Sequence, residues 1–380
     1  MKIGIVCYPT FGGSGVVATE LGLGLAHKGH HVHFITYKRP VRLTAFHTNV
    51  YFHEVRSMDY DLFEYVPYES SLASKLVDVI RFEKLDILHV HYAIPHAAVA
   101  FMTKQILRAQ GIEIPVVTTL HGTDITLVGA DASFAPVVEF SINASDGVTA
   151  VSNQLRKETY ETFNIKNEIK VIHNFIDFTR FRKTNKDHFR KAIALDDEKI
   201  MVHISNFRMV KRVQDVIYVF DKIVKQVKCK LLMIGDGPER KHMEELCRSL
   251  QLCDHIRFLG KQEAVEEILA IADLFIMPSE NESFGLAALE AMACEVPVIS
   301  SNAGGLPEVN IDGVTGFMYE IGDIEGMAAG SIELLTNEEK LTQFRQNAFN
   351  HAKKFDIENI LPHYENYYYE VINNLAVHAQ

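Results

Sequence analysis

The sequence predicts an α/β protein made of two doubly wound units, each with a parallel sheet covered by helices. Short apolar segments alternate with helix-like stretches, a pattern that favours parallel strands buried on both faces. The pattern begins at the N-terminus and starts again near Ile200. With 380 residues, the chain also exceeds the size at which a single hydrophobic core keeps growing.

The predicted strands of the first unit are residues 2–8, 31–37, 87–91, 116–119 and 147–151, with helices such as 16–28 and 96–109 between them. The predicted strands of the second unit are residues 200–205, 230–234, 256–259, 274–277 and 298–300. The stretch 164–182 has the character of a crossover linker, so we place the boundary between residues 165 and 166. Ligands of such sheets bind beyond the carboxyl ends of the strands, and the cleft between the two units is the expected site.

Composition excludes several classes of protein. A net charge of -11 argues against nucleic acid as the main partner. No apolar run has the length of a membrane span, and the N-terminus lacks a secretory signal, so a cytoplasmic location is expected. The five cysteines are scattered and contain no Cys-x-x-Cys, which indicates reduced thiols rather than disulfides or a zinc site. The oligomeric state stays open, a homo-oligomer included.

A glycine-rich loop follows the first predicted strand. Glycines at a strand-to-helix turn let a ligand approach the backbone, and the helix N-terminus offers N–H groups to an anion. The segment from Gly13 through Gly15 to Ala18 also fits a loose dinucleotide fingerprint. The second strand, however, ends in Lys38 and Arg39 rather than in the acidic residue that NAD requires. An NADP-dependent oxidoreductase therefore remains as an alternative function.

A cationic loop follows the first strand of the second unit. Arg208, Lys211 and Arg212 precede a helix predicted to begin near Val213. Such cations can neutralise a diphosphate leaving group. The alternative is a solvated basic loop, with Arg212 as the first candidate for a side chain that only contacts water. The turn at 235–238 likewise suits either a ligand or an ordinary strand-to-helix connection.

Two glutamates flank a small turn in the segment 278–290, P-S-E-N-E-S-F-G-L-A-A-L-E. Ser283 is predicted to cap a helix over 284–292, which leaves the first backbone N–H groups free for a phosphate. A glycosidase pair is disfavoured because eight helical residues separate Glu282 from Glu290 by about 12 Å. We prefer a nucleotide-sugar site over a solvated pair of glutamates. The backbone groups in question are those of Ser283, Phe284, Gly285 and Leu286.

The spacing of Glu282 and Glu290 resembles the E-x7-E motif of the retaining GT-B glycosyltransferases of the fourth family. The G-G-S-G loop, the G-D-G-P-E turn and N-A-G-G-L-P-E-V at 302–309 agree, so the resemblance covers essentially the whole chain. Segments 1–22 and 203–212 are most similar to family members of bacillithiol biosynthesis. The resemblance implies two Rossmann-like domains and transfer of N-acetylglucosamine from UDP-N-acetylglucosamine to the hydroxyl of L-malate, with retention.

The resemblance also implies roles for individual residues. Lys211 and Arg208 would stabilise the UDP leaving group, and Glu282 would hold the donor sugar. Glu290 would bind the ribose, and His121 in L-H-G-T-D would approach the reacting centre. The remaining donor-side residues are Gly15, Asn206, Ser283, Phe284, Gly285 and Leu286, and the acceptor-side candidates are Ser14, Tyr92, Thr123 and Asn153. The family has an arginine at the position of Asn206, so Asn206 and Arg208 both stand as candidates for its role.

By the same resemblance, residues 1–165 form the acceptor-binding domain and 166–362 the donor-binding domain, with the C-terminal helix at about 363–380 packed on the first. Front-face substitution needs neither a protein nucleophile nor a metal, and no cofactor is expected. Asp59, Asp61, His89 and His91 resemble metal ligands, but they are better explained as a polar loop and as strand histidines. A related transferase with another acceptor, an epimerase using the same donor, and a non-catalytic sugar-binding module also stay open as functions.

Overall fold

The computed structural model describes residues 1–57, 65–129, 131–185 and 187–378. The described residues form two compact units. The first comprises residues of Met1–Asn174 together with those of Ile357–Gln380, and the second is Phe175–Asp356. The chain thus passes between units at Asn174 and Phe175 and returns at Ile357.

Parallel strands build the sheet of the first unit. Among the described residues these are β1 (Lys2–Val6), β2 (His31–Thr36), β3 (Val50–Glu54), β4 (Ile87–His91), β5 (Val116–Leu120), β6 (Gly147–Ala150) and β7 (Ile169–Val171). The helices are α1 (Gly13–His27), α2 (Tyr68–Glu83), α3 (Ala98–Arg108), α4 (Ala135–Asn143) and α5 (Asn153–Thr162). The strand order is β3-β2-β1-β4-β5-β6-β7, the arrangement of a doubly wound sheet.

Burial on both faces explains why the central strands consist mainly of apolar residues. Every residue of β4 and of β5 is buried, as expected where helices cover both faces of a parallel sheet. On one face, Leu72, Leu76 and Ile80 of α2 pack in a single apolar cluster with Ile35 of β2 and Leu88 of β4. This packing fixes α2 over the first half of the sheet.

The second unit repeats the same winding. Its described strands are β8 (Lys199–Ile204), β9 (Cys229–Ile234), β10 (Ile256–Gly260), β11 (Leu274–Met277), β12 (Val298–Ser301) and β13 (Gly316–Tyr319), in the order β10-β9-β8-β11-β12-β13. Its helices are α6 (Asp187–Ile193), α7 (Val213–Val224), α8 (Arg240–Ser249), α9 (Val265–Leu269), α10 (Leu286–Ala293), α11 (Leu306–Val309), α12 (Ile324–Thr336) and α13 (Glu338–Ala352). All pairs in this sheet are parallel.

The last helix, α14 (Ile357–His378), belongs to the first unit. The Tyr367 hydroxyl accepts a hydrogen bond from the Val148 backbone N–H at 2.9 Å, and Tyr368 bonds to His89 at 2.7 Å. The Glu365 carboxylate bonds to Lys28 and His30, both at 2.9 Å. The tyrosines thus tie the end of the chain to the middle of its first sheet.

Three strands were not predicted from the sequence. β3 is an edge strand whose residues are exposed or half-buried, so it lacks the apolar run that marks a central strand. β7 has three residues and lies inside the stretch 164–182, which is therefore not simply a linker. β13 is also at an edge and is partly exposed. None of the helices in the described part of the chain has the length and apolar character needed to cross a membrane.

Candidate active site

Each sheet has a point where the winding reverses, and the loops that carry Ser14, Tyr92, Lys211 and Glu282 begin there. In the first unit, β1 lies between β2 and β4, so the loops after β1 and β4 diverge. In the second unit, the loops after β8 and β11 diverge in the same way. Such switch points open a crevice at the carboxyl ends of the strands, where ligands of doubly wound sheets bind.

Lys211 and Glu282 meet at the switch point of the second unit. Lys211 lies in a single 3₁₀ turn after β8, and Glu282 lies in the loop after β11. The Glu280 backbone N–H donates to the Val210 carbonyl oxygen at 2.8 Å, which fastens the two loops together. The Lys211 ammonium then lies 2.6 Å from Glu282 Oε1. Their side chains are 19% and 13% exposed, so the pair is partly shielded from water.

Three further contacts hold Glu282 in place. The Ser279 hydroxyl donates to Glu282 Oε1 at 2.9 Å. The Gly305 backbone N–H donates to the Glu282 carbonyl oxygen at 2.7 Å. A Cβ at Gly304 would lie 2.0 Å from that same oxygen, so the sequence N-A-G-G allows an approach that a side chain would prevent. Glu282 is therefore fixed at both its carboxylate and its backbone.

The helix after this loop begins later than predicted. α10 starts at Leu286, with Gly285 as the cap residue at φ 94°, so Ser283 is not the cap and the helix does not start at Phe284. A Cβ on Gly285 would also lie 2.6 Å from the Leu306 side chain. Left-handed backbone and this close approach both explain the glycine. The free helical N–H groups thus begin at Leu286, and Phe284 is buried.

Glu290 is buried in the middle of α10, with 8% of its surface exposed. The alternative of an exposed helix glutamate is therefore wrong. Burial, followed by the charge of Glu290, raises the pKa of the Cys294 thiol to about 12. Carboxylates are seldom buried in folded proteins, so its burial sets Glu290 apart from an ordinary surface glutamate.

In the first unit, three further predicted residues gather around Tyr92. Tyr92 directly follows β4 at φ 86°, and its hydroxyl donates to Ser14 Oγ at 2.8 Å. Burial raises the pKa of Tyr92 to about 12, against the opposing effect of its hydrogen bonds with Ser14 and Thr123. The His121 ring lies 5.2 Å from the Tyr92 ring. The group thus lies at the carboxyl ends of β1, β4 and β5, and its members are Ser14, Tyr92, His121 and Thr123.

Buried histidines support this group. His91 Nδ1 lies 2.8 Å from His121 Nε2, and His96 Nδ1 lies 2.6 Å from the His91 carbonyl oxygen. One ring nitrogen in the first pair donates and the other accepts. Burial lowers the pKa of His121 to about 3 and that of His96 to about 4, so both rings are neutral at pH 7. The contact with His91 therefore couples the tautomers of the two rings and orients His121.

Asp124 shapes the loop that carries His121. Its carboxylate accepts the backbone N–H groups of Ala93 at 2.9 Å and of Gly122 at 3.0 Å. Burial raises the pKa of Asp124 to about 6, while these backbone donors oppose the rise. A single buried carboxylate thus ties the turn after β4 to the turn after β5.

Gly15 and Asn153 occupy different surroundings. A Cβ on Gly15 would lie 2.4 Å from the Tyr8 carbonyl oxygen and 2.5 Å from that of Thr10. The glycine is thus required by the chain that leads into α1, independently of any ligand. Asn153 is the first residue of α5, is exposed, and its side-chain oxygen accepts a hydrogen bond from Arg156 at 3.1 Å.

Comparison with known proteins identifies the family. The profile described as Glycosyltransferase Family 4 matches residues 11–180, and the one described as Glycosyl transferases group 1 matches residues 185–351. The chain is 48% identical over 376 residues to the N-acetyl-alpha-D-glucosaminyl L-malate synthase of Bacillus anthracis, with 98% of each chain covered. The chain belongs to the GT-B glycosyltransferases of family 4. The predicted fold and a hexosyltransferase activity are thereby confirmed, and an NADP-dependent oxidoreductase is excluded.

Solved structures share the fold of this glycosyltransferase. The sucrose-phosphate synthase of Thermosynechococcus elongatus has a TM-score of 0.82 at 19% identity, with 98% of this chain and 100% of that chain covered. Anabaena Alr3699/HepE in complex with UDP and glucose has a TM-score of 0.80 at 20% identity, with 96% and 98% covered. At identities this low, the structural likeness shows a shared architecture and nothing more.

The cationic loop of the glycosyltransferase differs in one respect from the prediction. Arg212 is the cap residue before α7, with φ 46°, and its side chain donates to the buried Asp215 carboxylate at 2.6 Å, so it is not merely solvated. Asn206 and Arg208 are both exposed in the loop after β8. Gly237 approaches that loop closely, because its Cβ would lie 2.0 Å from the Asn206 carbonyl oxygen. The G-D-G-P turn is therefore explained by packing of the backbone.

Sequence reasoning missed residues that support the site of this glycosyltransferase. His203 Nε2 bonds to Ser205 Oγ at 2.8 Å, and His203 Nδ1 bonds to the Ile276 carbonyl oxygen at 2.9 Å, which joins β8 to β11 behind Lys211. Ser279 and Asp124 were also missed. The only signal was position, since each of these residues lies in or beside a segment already singled out.

The sequence contains two patterns that resemble metal ligands, one with aspartates and one with histidines. Asp59 and Asp61 lie outside the described residues. His89 is fully buried and bonds to Tyr368 and to Thr119, both at 2.7 Å, while His91 bonds to His121. The histidines of β4 thus belong to a hydrogen-bonded chain inside the first unit.

Proposed function

We propose that this glycosyltransferase transfers N-acetylglucosamine from UDP-N-acetylglucosamine to the hydroxyl of L-malate, with retention at the anomeric carbon, as the first step of bacillithiol biosynthesis. The observation that carries the proposal is the 48% identity to the Bacillus anthracis L-malate synthase over 98% of both chains. The pairing of Lys211 with Glu282 at the switch point supports a site for a charged nucleotide-sugar.

The second unit would bind the donor. Lys211 and Arg208 stabilise the diphosphate, and Asn206 lies in the same loop. Backbone N–H groups from Ser283 to Leu286 meet the phosphates, since residues 283–285 form the loop into α10 and Leu286 begins the helix, whose first turn attracts anions. Glu282 holds the donor sugar, and the buried Glu290 binds the ribose hydroxyls.

The first unit would bind the acceptor. Ser14, Tyr92 and Thr123 form a polar group at the carboxyl ends of β1, β4 and β5, and Asn153 follows β6. His121 presents a neutral imidazole beside Tyr92 and contacts the donor sugar near the reacting carbon. Gly15 keeps the loop after β1 compact, so that the diphosphate can approach it.

The reaction proceeds by front-face substitution. The bond between the anomeric carbon and the UDP oxygen breaks, and the malate hydroxyl oxygen forms its bond on the same face. The hydroxyl proton passes to an oxygen of the departing diphosphate, so no protein nucleophile is needed. The protein contributes orientation of the acceptor and stabilisation of the developing negative charge. The ion pair with Glu282 holds the Lys211 ammonium in place before the substrate binds, so it is already positioned to stabilise that charge.

The test incubates the enzyme with UDP-N-acetylglucosamine and a panel of hydroxy acids, and follows release of UDP. We expect release that depends on L-malate, persists in EDTA, and gives an α-linked product by NMR. Release with another hydroxy acid but not with malate would be consistent with a glycosyltransferase and would overturn malate as the acceptor. Loss of release in EDTA would overturn the metal-free mechanism. The cytoplasmic location and a homo-oligomer stay predictions.

A further inference from the structure

A second cluster of polar side chains lies beside the edge strand β3 of the first unit's sheet. His33 is on β2, His53 is on the edge strand β3, and Glu83 is the last residue of α2. Glu83 precedes the start of β4 at Ile87, which places it at the amino ends of the strands. The substrate-binding residues proposed above follow the carboxyl ends. The cluster is therefore separate from the site of transfer.

The topology brings the three residues together on one face. His33 is paired in register with Tyr51, and His53 lies two residues further along the same strand, so both rings point to the same side. Ile35 and Val55 share that side and pack in the apolar cluster of α2. The C-terminal end of α2 accordingly brings Glu83 over the two rings.

The ligand atoms are close to one another. His33 Nδ1 lies 3.0 Å from His53 Nε2, and the two ring planes differ by 15°. One nitrogen of each ring and one carboxylate oxygen of Glu83 all lie within 4.8 Å of one another. His33 is 1% exposed, while His53 and Glu83 are half-buried, so solvent reaches the cluster at His53 and Glu83.

We propose that His33, His53 and Glu83 bind a divalent transition-metal ion, with Zn²⁺ as the best match. Two imidazoles and one carboxylate form a donor set that Zn²⁺ uses, with water at the fourth position. Tetrahedral bonds of about 2.0 to 2.1 Å place two ligand nitrogens about 3.3 to 3.4 Å apart. The rings therefore need only a small separation, and the Glu83 side chain closes from the side.

Binding changes the tautomer but leaves the rings neutral. The hydrogen bond between His33 and His53 is lost, and the proton it used resides on the ring nitrogen that does not face the ion. Burial lowers the pKa of His33 to about 4 and also lowers the pKa of His53, so neither ring has to lose a charge at pH 7. Neutral imidazole is the form that binds metals.

The surroundings hold the rings in position. The Tyr51 ring stacks on His33 with centroids 4.6 Å apart, and the Tyr51 hydroxyl lies 3.2 Å from His31 Nδ1. The nearby charges are mixed. Lys2 donates to the Glu83 backbone oxygen at 2.6 Å, and Lys75 pairs with an aspartate on α2 at 3.6 Å. The ammonium groups are thus engaged by oxygen atoms beside the cluster.

A metal here would connect β2, the edge strand β3 and the end of α2. Its expected effect is on stability, since an ion that binds only the folded state raises the melting temperature by mass action. Because the cluster lies away from Ser14, Tyr92 and His121, the turnover of glycosyl transfer is expected to be the same with and without the ion.

The test titrates the EDTA-treated full-length enzyme with Zn²⁺ in competition with a chromophoric chelator. The variants are His53→Gln and Glu83→Gln, and the matched controls are His27→Gln and Glu54→Gln, which remove a histidine and a glutamate outside the cluster. We expect one ion bound tightly, a loss of at least about tenfold in affinity in each cluster variant, and wild-type affinity in both controls. Zn²⁺ should raise the melting temperature of wild type and not that of Glu83→Gln.

Titration of wild type with Co²⁺ gives a second readout that needs no variant. One equivalent is expected to produce the visible absorption bands of a tetrahedral site, and Zn²⁺ is expected to abolish them. Absence of these bands at one equivalent would overturn the proposal. Equal Zn²⁺ affinity in wild type and His53→Gln would do so as well, because the ion would then be held by other groups among the 18 histidines.

Discussion

The Lys211 ammonium lies 2.6 Å from Glu282 Oε1, although the two residues are separated by 71 positions in the chain. Their loops follow β8 and β11, which are neighbours in the sheet. The pair therefore exists because two strand ends meet at the switch point. A cation held in this way costs little reorganisation when a negative charge develops beside it.

Lys211→Ala should slow turnover more than it weakens nucleotide binding. We expect a fall in kcat of about 10² to 10³, the range seen when one group that stabilises a developing charge is removed. Steady-state release of UDP measures the effect. Lys225→Ala is the control, because Lys225 forms an exposed ion pair with Asp221 on α7. A fall in UDP affinity with unchanged kcat would contradict this role.

Glu290→Gln should weaken the binding of UDP. The substitution keeps the volume of the buried side chain but replaces a carboxylate oxygen with an amide donor, so hydrogen bonds from the two ribose hydroxyls are no longer both accepted. We expect the Kd for UDP to rise about tenfold or more, as measured by calorimetry. Glu325→Gln, at an exposed position on α12, should leave the Kd unchanged. Similar Kd values for both variants would contradict the proposal that Glu290 binds the nucleotide.

Gly15→Ala should destabilise the first unit, whereas Gly12→Ala should be tolerated. The new Cβ at position 15 would lie 2.4 Å from the Tyr8 carbonyl oxygen, whereas at position 12 the nearest atom is Thr10 Oγ1 at 3.4 Å. We expect a loss of about 1 to 3 kcal/mol for the first and within about 0.5 kcal/mol for the second. Urea unfolding followed by circular dichroism suits a chain without tryptophan. Equal stabilities would show that the loop can relax.

The first unit should lose stability as the pH falls below about 6.5. Burial lowers the pKa of His89 and of His121 to about 3 and that of His96 to about 4, from an ordinary value of 6.5. Between pH 6.5 and about 4, the unfolded chain therefore binds protons at these rings that the folded chain does not bind. Stability is complete above pH 6.5 and decreases toward pH 4, by about 1.4 kcal/mol per pH unit for each such ring.

The variant His96→Leu isolates one of these rings. Its Nδ1 atom bonds to the His91 carbonyl oxygen, whereas its Nε2 atom is buried without a hydrogen-bond partner among the described atoms, so a proton on Nε2 would have no acceptor there. Urea titrations between pH 6 and 4.5 should show a pH slope smaller by about 1.4 kcal/mol per unit than in wild type. An unchanged slope would mean that His96 is protonated in the folded state.

The sequence was sufficient for the larger architecture. The alternation of short apolar strands with helices, and its restart near Ile200, predicted two doubly wound units because burial on both faces imposes that pattern on the chain. Strand β11 was predicted with its observed bounds, Leu274–Met277. Edge strands such as β3 were missed, since a half-exposed strand carries no continuous apolar run.

Local pattern was also sufficient to locate the loops of the site, but not the geometry within them. Ser283 suits a helix cap by residue type, yet the helix starts after Gly285 because the close approach of Leu306 and the left-handed backbone decide where it can begin. Propensity describes an isolated segment, whereas this boundary depends on a neighbouring helix.

What the sequence determined by itself was therefore the periodic burial, the turns with their glycines, and the family motif from Glu282 to Glu290. Only the tertiary structure decided that Lys211 pairs with Glu282, that His91 orients His121, and that His33 and His53 face Glu83. Each of these contacts joins residues far apart in the chain. Their existence depends on which strands are neighbours and in which register, and hydrophobic periodicity specifies neither.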